Sequence, residues 1–171
     1  MTRMKAPLIL TVLAAVLAGT AAAHGAGTVL CKGAQLTGSF AVVPGSAGAG
    51  NIVYALRLKN TSPTSCSVTG LPQVRLLGRH GGPLPTTVRA AFPGALTAVL
   101  VTLQPGQAAR ATARFSPDVP GSGEQTQGQC EATAYRLRVT AQGGGTTTVE
   151  VRPPTPVCEH GRLSFSAYGR P

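Results

Sequence analysis

The 171-residue sequence predicts an all-β protein, a β-sandwich of about eight strands held together by two disulfides. Three observations lead to this class. Apolar and polar residues alternate in short segments, which is the pattern of strands with one face buried and one face in water. Clusters of Gly and Pro separate these segments, and no helix of useful length is predicted after the N-terminal leader. The four cysteines are an even number, as expected of a disulfide-bonded protein.

The alternating segments predict the strands in chain order. They cover 36–42, 52–59, 73–76, 99–103, 109–115, 135–140, 147–152 and 163–167. Frequent turns between short strands favour a sandwich over a barrel or a helical bundle. The segment 116–129 is rich in Pro, Gly, Gln and Ser, so we interpret it as a long surface loop within one domain.

Residues 1–23 have the pattern of a secretory signal peptide. Arg3 and Lys5 form a positive head, and an apolar run from Ala6 to Gly19 follows. A membrane span needs about 20 apolar residues, so this run is too short, although an uncleaved anchor helix is the alternative. Small residues predict cleavage after Ala23, with Ala26 as the second choice. We therefore expect a secreted, extracellular single domain of residues 24–171 with no membrane span.

The cysteines are Cys31, Cys66, Cys130 and Cys158. In an exported protein, this even number indicates two disulfides. Their spacing contains no close pair of the kind that binds zinc, and it leaves three disulfide pairings open. Bulky Leu30 directly before Cys31 is unlike a lipid-attachment site, so no lipid anchor is expected.

The charge is strongly positive, with 15 basic and 5 acidic residues. Such a balance favours anionic partners, and for an exported protein these are cell-wall polymers or envelope proteins rather than nucleic acid. Arg110 and Arg114 share the polar face of one predicted strand, and Arg136 and Arg138 share that of another. If these strands are neighbours, the four guanidinium groups form one anion-binding patch of a monomeric protein. The alternative is a solvated face that maintains solubility.

No catalytic motif is found. The predicted mature chain has one Asp, Asp118, and no nucleophile elbow or phosphate-binding loop, so a non-catalytic module without a cofactor is expected. Asn60-Thr61-Ser62 matches a glycosylation acceptor, but Asn and Ser that bond their own backbone in a turn explain it as well.

A copper protein is the alternative function. Cleavage after Ala23 would leave His24 at the N-terminus, where the amine and the imidazole could bind Cu²⁺ together with a second histidine. The candidates for this second ligand are His80 and His160. Both histidines adjoin Gly in predicted turns, so solvent-facing residues without a metal are the simpler interpretation.

Several motifs point to one family. They are Cys31, Leu56–Ser62 with Cys66 and Gly70–Leu76, then Val101–Gly106, and finally Cys130 with Leu137–Val139, Cys158 and Leu163. With these motifs the chain resembles, over residues 31–168, the secreted actinobacterial family named domain of unknown function 4232. The resemblance implies an immunoglobulin-like antiparallel sandwich with Cys31–Cys66 and Cys130–Cys158 disulfides. It implies no activity.

Overall fold

The structure is a computed structural model that describes residues 29–95 and 99–171. The predicted signal peptide, its cleavage sites and His24 lie outside the described residues. The strands are β1 (Leu36–Val42), β2 (Ile52–Asn60), β3 (Cys66–Thr69), β4 (Gln73–Leu77), β5 (Thr87–Ala90), β6 (Leu100–Leu103), β7 (Ala108–Phe115), β8 (Ala134–Thr140), β9 (Thr146–Thr155) and β10 (Arg162–Phe165). A 3₁₀ turn, Gly33–Gln35, precedes β1, and a four-residue turn, Cys158–Gly161, precedes β10.

The all-β class is confirmed, and each predicted strand corresponds to an observed one. The prediction missed β3 and β5, which have four residues each and are too short to show a clear alternation. The loop predicted at 116–129 contains no strand. Among the described residues, no helix is long and apolar enough to cross a membrane.

Eight strands form one mixed sheet in the order β4-β8-β9-β1-β2-β7-β10-β5, and β3 pairs with β6 in a separate small sheet. Most neighbours are antiparallel, but β1 with β9 and β10 with β5 are parallel. The sheet is therefore mixed, whereas the resemblance implies an antiparallel one. Alternation predicts which residues face the core but not the direction of the neighbouring strand.

The two ends of this strand order meet. The segment that leads into β5 runs along the free edge of β4, where Leu77 and Pro83 form a β-bridge and the Leu84 N–H donates to the Leu76 carbonyl at 2.9 Å. The Thr86 hydroxyl accepts a hydrogen bond from the Leu76 N–H at 2.9 Å. The sheet is therefore barrel-like, whereas the sequence predicts a sandwich. Closure gives partners to edge groups that would otherwise be unpaired.

The core contains the inward side chains of the strands. Phe40, Tyr54, Phe115 and Phe165 form its aromatic centre, where the rings of Phe40 and Tyr54 are 5.1 Å apart. The Tyr54 hydroxyl donates to the Pro153 carbonyl at 2.8 Å, which satisfies its polar end.

Two disulfides are present, and they join Cys31 to Cys66 and Cys130 to Cys158. This is the pairing that the resemblance implies. The first disulfide connects the segment before β1 to β3. The second connects the end of the long loop to the turn before β10, so it holds the loop against the sheet.

Candidate anion-binding face

Cationic side chains cover the outward face of the sheet half formed by β2, β7, β10 and β5. We name this set the basic face, and its members are Arg57, Lys59, Arg89, Arg110, Arg114 and Arg162. All six residues are exposed, whereas the alternate residues on β2, β7 and β10, such as Leu58, Ala111 and Leu163, are buried. The period-two pattern thus separates an apolar core face from a cationic solvent face.

The strand register places these cations beside one another. Arg57 of β2 is directly opposite Arg110 of β7. Farther along, Arg114 of β7 is opposite Ser164 of β10, which in turn is opposite Arg89 of β5. Side chains opposite each other lie on the same face of a sheet, so cations extend over four adjacent strands.

Few anions lie near this face. In residues 29–95 and 99–171, the ion pairs are Arg152 with Glu150, His160 with Glu124, and Arg162 with Glu159. Only Arg162 belongs to the basic face, and its Nε atom is 3.3 Å from Glu159 Oε2. The other five cations have no carboxylate partner in the described part of the chain.

The four arginines predicted as one patch lie in two places. Arg110 and Arg114 are on the basic face, but Arg136 and Arg138 are on β8, which β9, β1 and β2 separate from β7. The strands that carry the two pairs are therefore not neighbours. Arg138 of β8 lies opposite Arg75 of β4, and we name the outward face that carries these two arginines the second surface.

Arg136 supports a local structure. Its Nη2 atom donates to the Arg79 carbonyl at 2.7 Å, and the Arg79 guanidinium lies 4.6 Å from the centre of the Tyr135 ring. Arg79 also donates to the Tyr135 hydroxyl at 2.8 Å. The hydrogen bond to the Arg79 carbonyl uses one donor of Arg136, so Arg136 is less available to a ligand than Arg110 or Arg114.

An open groove of about 660 Å³ crosses the basic face, and we name it the Phe92 groove. Arg114, Arg162 and Ser164 form its floor, and Phe92 and Val119 stand at its sides. Phe92 is 68% exposed and Val119 is 44% exposed, so both present apolar surface to solvent.

Val119 belongs to the long loop and packs against Gly50, which precedes β2. A Cβ atom at Gly50 would lie 2.7 Å from Val119 Cγ2, so a larger residue there would have to displace the Val119 side chain. The backbone of Gly50 also has φ of +72°, which favours glycine. The wall of the groove is thus built by a close contact between two loops.

A left-handed turn borders the groove. Glu159 and His160 have φ of 57° and 56°, and Gly161 follows with 72°. The Glu124 carboxylate accepts hydrogen bonds from the backbone N–H groups of Gly121, Glu159 and His160. Successive N–H groups in this conformation form a concave anion site, and here the protein's own Glu124 occupies it.

The side chain of Glu124 is 4% exposed. Burial alone would raise the pKa of this carboxyl. The hydrogen bonds from Gly121, His160 and Glu159, together with the charge of His160, outweigh burial and lower the pKa to about 2. Burial raises the pKa of nearby Glu131, and the hydrogen bond and negative charge of Glu124 raise it further.

Within the described ranges, one cluster of potential metal ligands is present, formed by Glu124, Glu131 and His160. One ligand atom of each residue lies within 4.8 Å of the other two. Glu124 already accepts three backbone hydrogen bonds, and the Nε2 atom of His160 lies 3.0 Å from the Ser122 carbonyl. This carboxylate thus has a structural role. His80 is exposed in the turn after β4 and does not join the group.

Sequence reasoning missed Arg57, Arg162, Phe92 and Glu124. The alternation around Arg57 shows that it faces outward, but nothing local shows that β2 lies beside β7. Glu124 gives no local sequence pattern because two of its three backbone partners, Glu159 and His160, are 35 and 36 residues farther along the chain.

The family model described as Domain of unknown function (DUF4232) matches residues 31–169. No curated protein and no solved structure matches the chain.

Proposed function

The chain belongs to the DUF4232 family, and from the geometry of its basic face we propose that it is an exported, non-catalytic module that binds an anionic polymer of the cell envelope. The observation that carries this proposal is the extent of the basic face, where Arg57 lies directly opposite Arg110 and further cations follow on the adjacent strands β10 and β5. Like charges opposite each other on paired strands are unfavourable. An anion that contacts both guanidinium groups removes this repulsion, because Arg binds carboxylate and phosphate through paired donors.

The extent of the basic face favours a polymer. Adjacent strands are about 4.8 Å apart, so the four strands β2, β7, β10 and β5 span roughly 14 Å. A single small anion contacts only part of such a surface. A chain with repeated carboxylate or phosphate groups can contact several cations at once, and each contact adds to the affinity.

Export is part of the proposal. The leader of residues 1–23 has the composition of a signal peptide, and the two disulfides are compatible with an oxidising compartment. An envelope polymer is an anionic partner that such a protein meets. A cationic surface also accelerates the encounter with a polyanion, at a rate that falls as salt increases.

We further propose that the barrel-like sheet is a modified immunoglobulin-like sandwich. β9 supports this proposal, because residues 146–150 and Thr155 pair with β8 across a register irregularity in β8, whereas Val151 and Arg152 between them pair with β1. A strand that changes partners in this way connects the two layers at the corner of a sandwich.

The test is retention on purified cell wall. We expect the mature protein to be retained at low salt and released at about 1 M salt, where screening is nearly complete. Arg57→Gln/Arg110→Gln should lose at least tenfold in retention. The matched control, Arg75→Gln/Arg138→Gln, removes charge from the second surface. This variant should keep most of the parent's retention on the cell wall. Equal retention of both variants would overturn the proposal.

A further inference from the structure

We propose that the Phe92 groove binds one acidic sugar unit, a ring that carries a carboxylate or phosphate group. This inference rests on the proposed function and names the ligand class that the groove recognises. The volume of about 660 Å³ is within the range of small-molecule sites. The groove also combines three kinds of chemistry that such a unit requires.

The first is positive charge on the floor. Arg114 and Arg162 line the groove from neighbouring strands, and Glu159 lines it as the partner of Arg162. With these three charges the groove has a net charge of one positive, and Arg114 is the guanidinium without a carboxylate partner among the described residues. A ligand with a single anionic group therefore matches the groove.

The second is apolar surface at the sides. Phe92 projects into solvent with 68% exposure, and Val119 lies on the long loop with 44% exposure. These two side chains are too exposed to enclose a long hydrocarbon chain. They suit a ring that presents C–H groups on one face and remains partly in water on the other.

The third is a set of hydroxyl groups. Thr112, Ser116 and Ser164 all line the groove together with the two arginines. A hydroxyl group both donates and accepts hydrogen bonds, so it pairs well with the hydroxyls of a sugar. An inorganic anion or a fatty acid would leave these groups or the apolar sides without a partner.

The test is an NMR titration of the mature protein with three probes: galacturonic acid, glucose 1-phosphate and maltotriose. We expect the two acidic sugars to bind at least tenfold more tightly than neutral maltotriose, and their ratio identifies the preferred anion. Arg114→Gln and Phe92→Ala should each weaken acidic-sugar binding about tenfold, whereas Arg138→Gln on the second surface should not change it. Equal binding of maltotriose, or unchanged binding by both groove variants, would overturn the inference.

Glu159→Gln is a variant that should change sugar affinity in the opposite direction. It releases Arg162 from its ion pair, so it should tighten binding of the acidic sugars several-fold, and weaker binding would contradict the inference. Each variant's urea midpoint verifies folding. Failure of the proposed polymer binding by the basic face would give a different result. The cell wall would then retain Arg57→Gln/Arg110→Gln as well as the parent, while the groove variants would still lose sugar binding.

Discussion

The Glu124 carboxylate accepts a hydrogen bond of 2.8 Å from the backbone N–H of Glu159, a residue 35 positions later in the chain. Through this bond, the long loop holds the left-handed turn that borders the Phe92 groove. A left-handed conformation at two successive non-glycine residues is unfavourable, so the turn depends on contacts from outside it.

Glu124→Gln should lower the urea midpoint at pH 7, because an amide replaces the second acceptor oxygen with a donor that faces backbone N–H groups. The lowered pKa of Glu124 sets the sign of the pH dependence. Stabilisation by the carboxylate is complete above about pH 4.5 and is lost as the pH falls towards about 2.

The difference in urea midpoint between parent and Glu124→Gln should therefore shrink as the pH is lowered through this range. Glu131 acts in the opposite direction, since its raised pKa favours the folded state when it is protonated. Glu131→Gln is thus the control that removes the second titration. A difference that stays constant from pH 7 to pH 2 would contradict the role given to Glu124.

Asn60→Ala should destabilise the protein by about 2–3 kcal/mol, because it removes a donor to the buried Leu103 carbonyl and the acceptor of the Ser62 N–H. Asn60 is fully buried, and its Nδ2 atom donates to the carbonyls of Thr64 and Leu103 at 2.8 and 3.0 Å. Its Oδ1 atom accepts hydrogen bonds from the backbone N–H and the hydroxyl of Ser62. The measurement is urea unfolding, with Thr61→Ala as the exposed neighbour that should cost less than about 1 kcal/mol.

These contacts explain the predicted turn at Asn60-Thr61-Ser62 in physical terms. The motif joins the end of β2 to β6 through a buried side chain. An Asn60→Ala variant as stable as the parent would remove this explanation.

Removal of the second disulfide by Cys130→Ala/Cys158→Ala should destabilise the protein by roughly 3–4 kcal/mol, because its closed loop spans 28 residues. It should also weaken binding in the Phe92 groove, since Val119 and Glu124 belong to the long loop, and this disulfide anchors the C-terminal end of that loop at Cys130. Chemical denaturation and the sugar titration measure the two effects. Cys31→Ala/Cys66→Ala is the control: it should lose similar stability but keep groove affinity. Equal groove affinities in the two variants would contradict the link.

A chain that begins at His24 should bind Cu²⁺ only weakly and, like a chain that begins at Gly27, should form no tight one-to-one site. His160 contacts the Ser122 carbonyl through Nε2, and its Nδ1 atom lies 3.4 Å from Glu124 Oε1. His80 lies in a different turn. Calorimetric titration compares the two chains, and tight one-to-one binding that His80→Ala or His160→Ala abolishes would favour the copper alternative.

The sequence predicts which side chains point outward but not which strands are neighbours. Arg110 and Arg138 occur in equivalent alternating patterns, yet one lies opposite Arg57 and the other opposite Arg75. Strand order depends on contacts between distant segments, and local alternation carries no information about them. For the same reason, a barrel-like closure and a sandwich produce the same pattern along each strand.

The left-handed turn could not be predicted either. Gly161 is its one residue that favours a positive φ, whereas Glu159 and His160 are ordinary residues in sequence. Glu124 stabilises the turn from the long loop, where composition indicates only exposed polar residues. The prediction therefore found the loop but not its function.

The most direct test of the account is chemical-shift mapping of the mature protein with polygalacturonate, an anionic polymer, at low salt. The account predicts amide shifts concentrated around Arg57 and Arg110 on β2 and β7, and their disappearance at about 1 M salt. Shifts of equal size around Arg75 and Arg138 on β4 and β8, or no shifts at all, would contradict it.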